Sequence, residues 1–180
     1  RDNMGDTFLH YGAEFGNTEV IRLILNLLQD QDIDRRNNAG ETSLHYALKS
    51  GHIGAVREFV EFGADPTLIS FNESTPLHFA AQSGNIGMIR FVMDLLQGHD
   101  IDSRNKFGET PLHYAVMNGH IGASRKLIEL GADINKVSYD EETLLHFAAK
   151  SADKEMIKMV IGMGFDVNAR TRCNYTPLHY

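Results

Sequence analysis

At 180 residues the chain has room for one or two globular domains, and its net charge of −7 excludes a broad phosphate-binding surface. Nonspecific nucleic-acid affinity comes from neutralising phosphates with Lys and Arg, so no nucleic-acid partner is expected. No apolar run approaches the roughly eighteen residues of a membrane span, and the single Cys173 leaves no internal disulfide, which leans toward a reducing, cytoplasmic compartment.

Residues 1–6 (RDNMGD) read as the end of a connecting finger, with Gly5 where Gly40 and Gly108 stand later. At Thr7 begins the stretch TFLHYGA, and close copies start at Thr42 (TSLHYA), Thr75 (TPLHFAA), Thr110 (TPLHYA), Thr143 (TLLHFAA) and Thr176 (TPLHY). The intervals are 35, 33, 35, 33 and 33 residues. A period of this size specifies stacked supersecondary units and makes domain counting the wrong question. The chain begins at Arg1 without a methionine and stops inside a copy, so it reads as an excerpt of a longer protein.

The spelling of the copies has a local cause. Thr is a helix N-cap, and Pro at the first helical position gives up a donor that has no partner there anyway. Leu and Ala then make a narrow apolar face for a second helix. Six histidines at regular spacing (His10, His45, His78, His113, His146, His179) invite a metal reading. Zinc ligands must converge to about 2 Å from one ion, whereas copies more than thirty residues apart fall in successive layers. A structural, hydrogen-bonded role is therefore expected of Thr42, His45, Thr75, His78, Thr110, His113, Thr143 and His146.

After each copy a short helix runs to a turn marked by Gly16-Asn17, Gly51-His52, Gly84-Asn85 or Gly119-His120. A longer helix follows, with Val20, Ile21, Ile24, Leu27 and Leu28 or Met88, Ile89, Val92, Leu95 and Leu96 at helical spacing. An extended polar connection rich in turn formers then reads as a projecting hairpin.

Helix, tight turn, helix and projecting hairpin, with TPLH opening the first helix and GAD closing the second, resembles the ankyrin repeat. The likeness covers the whole chain as five complete units and the start of a sixth, approximately 2-36, 37-69, 70-104, 105-137, 138-170 and 171-180. It implies an all-α repeat solenoid with projecting β-hairpin fingers, no catalytic activity and no cofactor. It also implies that finger asparagines are substrates of an asparaginyl hydroxylase favouring Leu eight residues upstream. Asn135 has Leu127 there, whereas Asn168 has Val160.

A second period lies over the first. At a shift of 68 residues, 33 of the 61 positions from Thr7 to Thr67 are identical, which indicates duplication of a two-unit block. The longer units share an insertion, Leu28-Gln29-Asp30-Gln31 and Leu96-Gln97-Gly98-His99, expected to lengthen the second helix or its exit loop. Glu73, Glu141 and Asn174 replace the finger glycine of other units, and since Glu is poor at positive φ these fingers are expected to turn differently. Ser151-Ala152-Asp153 replaces the glycine turn of the fifth unit.

Asp30-x-Asp32-x-Asp34 with Glu41 superficially resembles a calcium loop, but its sixth position is Arg35 where Gly is needed. No phosphate loop, CxxC or HExxH occurs. Surface recognition remains. Positions at which the copies agree build the stack, and those at which they differ are free for a partner. These are Phe71, Asn72, Gln82, Lys106, Phe107, Glu109, Met117, Asn118, Tyr139, Asp140, Glu142, Lys150, Arg172 and Tyr175. Phe71, Phe107, Tyr139 and Tyr175 are expected to form a ladder of anchors along the fingers, and the reading in which they only pack on one another stays open. The expected function is capture of a protein, or of another part of the same chain, on a concave face and fingertips. The alternative is an architectural arm of a large toxin, host-directed effector or channel.

Overall fold

The computed structural model describes residues 1–28 and 33–180. The first insertion and the aspartates at 30 and 32 lie outside the described residues; of the calcium-like run, Asp34 accepts the Asp65 N–H at 3.0 Å, while Glu41 meets Lys49 at 3.2 Å.

Helices alternate short and long: α1 (Phe8–Phe15), α2 (Thr18–Leu28), α3 (Ser43–Lys49), α4 (Ile53–Glu61), α5 (Pro76–Gln82), α6 (Ile86–Leu95), α7 (Pro111–Met117), α8 (Ile121–Glu129), α9 (Leu144–Lys150) and α10 (Lys154–Ile161). A 3₁₀ turn, Pro177–His179, opens the last copy. In one layer α1, α3, α5, α7 and α9 stack in order, and α2, α4, α6 and α8 form a second layer behind them. The layers come close because the facing positions are small: Ala47, Ala55, Ala80, Ala115, Ala123 and Ala148 are fully buried. Leu9, Leu44, Leu77, Leu112 and Leu145, one per unit, fill the space beside them. Among the described residues no helix is long and apolar enough to cross a membrane.

The threonine and histidine of each copy form one device. Thr42 caps α3 by accepting the His45 N–H, and its own N–H donates to His45 Nδ1 at 2.9 Å. This is a capping box with His in the place of the usual Glu. A backbone N–H can only donate, so Nδ1 is an acceptor and the ring proton sits on Nε2. That proton reaches onward to a carbonyl, at the end of the same unit from His45 to Leu68 at 2.9 Å and from His113 to Lys136 at 3.0 Å, and in the next unit from His78 to Glu109 at 3.0 Å. Each histidine therefore shares the cap of its own helix, and His10, His78 and His146 also tie two units together through the carbonyls of Glu41, Glu109 and Tyr175.

The 68-residue period is present in the contacts themselves. Four residues past the motif threonine stand Tyr46, Phe79, Tyr114, Phe147 and Tyr180, alternately able and unable to donate. Tyr46 gives its hydroxyl proton to Asp6 at 2.9 Å, and Tyr114 Oη lies 3.1 Å from Ser74 Oγ. The histidine rings meet the tyrosines edge-on, at 87° for His10 with Tyr46, and meet the phenylalanines tilted, at 49° for His45 with Phe79. The inter-helix turns alternate as well. His52 and His120 reach back to the carbonyls of Glu14 and Gln82, whereas Asn85 and Asp153 cap the next helix by accepting from Met88 and Met156. In the fifth unit Ala152 takes the left-handed place of Gly, at φ 53°, held by Ser151 Oγ bonding to the Ala148 carbonyl and to the Asp153 N–H. The second insertion extends the exit loop from α6 through Gly98 at φ 86°.

The fingers are short hairpin turns, and one expectation about them is corrected. Among the described residues the hairpins carry no regular strand pair; each is a tight turn closed by two backbone bonds, such as Asn37 N–H to the Glu41 carbonyl at 2.9 Å and Gly40 N–H to the Asn37 carbonyl at 3.0 Å. Nor do the fingers without glycine turn differently, since Glu73, Glu141 and Asn174 all stand at φ 64°, close to Gly40 and Gly108 at 75°. The turn's own bonds impose this conformation: Ser70 N–H to the Ser74 carbonyl, Glu73 N–H to the Ser70 carbonyl, and Ser74 N–H to Asn72 Oδ1. Left-handed backbone costs a side chain about 1 kcal/mol or more. Glu73→Gly is accordingly expected to stabilise the array by up to ~1 kcal/mol in urea denaturation, and no gain would mean the turn carries no strain.

Candidate functional site

The finger row is built from five-residue turns, and consecutive turns are bonded to one another. The second residue of each donates its N–H to the third-residue carbonyl of the turn before: Asn38 to Met4, Phe71 to Ala39, Lys106 to Asn72, Tyr139 to Phe107 and Arg172 to Asp140, at 2.8 to 3.0 Å. The row is therefore one fixed edge.

The aromatics do not form one ladder, because they occupy different places in their turns. Phe71 and Tyr139 are equivalent, four residues before the motif threonine; Phe107 is three before and Tyr175 one before. Phe71 lies on Gly40, where a Cβ would stand 2.4 Å from ring carbon Cδ1, and Tyr139 lies likewise on Gly108 at 2.8 Å. Here glycine is needed for space as well as for φ. Arg36 and Arg104 approach the two rings at 5.9 and 5.2 Å, and each donates to the backbone, Arg36 to Ile69 and Arg104 to Val137. Phe71 remains 56% exposed and Tyr139 50%. The two rings thus pack and also present a face. Phe107 is exposed, and Tyr175 stacks on His179 with centroids 5.5 Å apart.

Glu142 requires correction as a surface candidate. It is 7% exposed and pairs with Lys150 at 2.7 Å. Burial pushes its carboxyl up, but Lys150, Tyr180 and Ser138 together hold it below the usual range. In alternate units the residue just before the threonine meets the next unit's tyrosine and so belongs to the stack; Asp6 with Tyr46 and Ser74 with Tyr114 repeat the contact. Glu109 is half-buried and accepts from Asn105 Nδ2 at 3.0 Å. Lys150 lies over Phe147 at 4.7 Å and Tyr180 at 4.8 Å. On the outward face of the short helices, Gln82 and Met117 are half-buried, and Asn118 is exposed with its amide bonded to the Tyr114 carbonyl. On the finger row Asn72 is half-buried, while Lys106, Asp140 and Arg172 are exposed, Arg172 lying 3.5 Å from Glu141. Asn135 is exposed, its N–H bonded to Asp133 Oδ1 at 2.9 Å.

Sequence reasoning passed over Arg36 and Arg104 as ring partners and Gly40 and Gly108 as seats. The signal was present, since glycine in one finger and an aromatic in the next recur together 68 residues apart.

The family model described as Ankyrin repeats (3 copies) matches residues 1–70, 56–138 and 87–171. The chain is an ankyrin-repeat protein. Among solved structures it is similar to the ankyrin repeat domain of Bcl-3, described as a unique member of the IkappaB protein family. The two are 30% identical, with 97% of this chain and 79% of that one covered at a TM-score of 0.69. A search of curated proteins finds no match. Ankyrin repeats are in general protein-interaction modules without enzymatic activity. In this ankyrin array all six motif histidines share a cap with their threonine, and five of them also reach a backbone carbonyl through Nε2.

Proposed function

We propose that this ankyrin array, one continuous domain, captures a protein or another part of its own chain on its finger row and on the concave outward face of its short helices. The observation that carries the reading is the bonding of every finger to its predecessor, with half-exposed aromatics seated on glycine. Side chains fixed in this way lose little freedom when a partner arrives, so less of the contact energy is spent on ordering. The test compares the intact array with the Phe71→Ser, Phe107→Ser, Tyr139→Ser triple variant as bait for partners identified by mass spectrometry. Loss of capture with an unchanged helical signal is the expected result. Capture that survives moves the site to Gln82, Met117, Asn118 and Lys150, and no capture by the intact array sinks the reading.

A second reading is an architectural arm of a large toxin, host-directed effector or channel. A membrane or catalytic region joined to the array would favour it. We also propose Asn135 as a hydroxylation site. Treatment with an asparaginyl hydroxylase is expected to add one oxygen to its peptide, and an unchanged mass removes the proposal.

A further inference from the structure

Six residues before each motif threonine stands a residue that leads into a finger, and four before it the second residue of that finger's turn. The contacts of Arg36 with Phe71 and of Arg104 with Tyr139 show that neighbouring fingers bring these positions together on the same side. Along the row the pairs alternate in chemistry. Arg36, then Arg104 with Lys106, then Arg170 with Arg172, make basic rungs; Ile69 with Phe71 and Val137 with Tyr139 make apolar rungs between them. Ile69 is 41% exposed and Val137 half-buried, so both apolar rungs are open to a partner. The molecule as a whole carries −7, so this cationic strip is a local feature set against an acidic body. Arg172 meets Glu141 with both side chains more than half exposed, a pair that a better-placed carboxylate displaces at little cost.

Resting on the reading of the finger row as a partner face, we propose that this strip binds an extended acidic polypeptide segment in which carboxylates alternate with aliphatic or aromatic side chains. Stacked helices stand about 8–10 Å apart, and an extended chain advances about 3.3 Å per residue. Acidic and apolar positions in the partner therefore alternate about every third residue. Carboxylates meet the guanidinium and ammonium rungs, and apolar side chains cover the outer faces of Phe71 and Tyr139. A uniform polyanion such as nucleic acid satisfies the first contacts and leaves the second unmade.

The probe is a fluorescein-labelled repeat of Glu-Glu-Ser-Leu-Leu-Ser, titrated with the array and followed by anisotropy. Saturable binding that weakens with salt is expected, together with about a tenfold loss in Lys106→Glu/Arg172→Glu, whose side chains hold no backbone bond among the described residues. A similar loss is expected in Phe71→Ser/Tyr139→Ser, with the urea midpoint measured for each variant; a variant that does not fold is replaced by Ile69→Ser. The lysine counterpart of the probe should not bind. Absence of binding, indifference to charge reversal, or equal binding of oligodeoxythymidine or of Glu-Glu-Ser-Ser-Ser-Ser overturns the proposal. If these fail while the intact array still captures a partner, the acidic-segment assignment falls and the interaction reading stands.

Discussion

Lowering the pH from 7 to 4 strips the array of a large part of its stability. Burial drives the pKa of His45, His78 and His113 from 6.5 down to about 4, partly opposed by the carbonyl that each ring faces. His10 and His146 are lowered in the same direction by the same cause. The unfolded chain therefore takes up protons first, as pH falls below 6.5. The stabilisation is fully present above that value, is lost as pH falls toward 4, and changes no further below it. A shift of about 2.5 units corresponds to about 3 kcal/mol, so each of the three most buried rings contributes on that order. Protonation at Nδ1 also removes the acceptor for the threonine N–H, so the helix cap and the proton compete for one lone pair. Urea midpoints measured between pH 7.5 and 4 should fall steeply across this window. A flat profile would mean that the rings take up protons without opening the stack.

Leu112→Ala is expected to cost about 2–5 kcal/mol. Leu112 is 1% exposed, in α7 at the middle of the array and inside the hydrophobic core, so its truncation leaves a buried cavity. In a stack each unit is supported by its neighbours alone, so weakening the fourth unit uncouples the two sides. The denaturation curve should broaden or split as well as shift, and a change within measurement error would show that α7 does not depend on this contact. The exposed Asn118→Ala, by comparison, should move the midpoint little.

The fold was legible because its instructions are local and repeated. Threonine, proline and histidine cap a helix within one turn, glycine closes it, and Leu and Ala mark its inner face; six spellings of the same phrase then reveal the period. The finger row was legible only in part. Variable positions identified Phe71, Lys106, Tyr139 and Arg172 as surface residues, but variability alone put Glu142 with them, and only its ion pair with Lys150 shows that it is interior. Phe71, Phe107, Tyr139 and Tyr175 looked equivalent because each lies near a fingertip. A shift of one residue in a tight turn redirects a side chain, so two rest on glycine and two do not.

The sequence by itself determined the repeat, the helix pair within it, the family and the doubling of the unit, since each depends on residues close together or on copies of one pattern. What faces what across the units was decided by tertiary structure. Gly40 beneath Phe71, Arg36 beside the same ring and Glu73 in left-handed backbone depend on a neighbouring finger some thirty residues away, or on turn bonds strong enough to overrule a residue's own preference. Local propensities amount to about 1 kcal/mol per residue, and a turn closed on both sides by backbone bonds exceeds that.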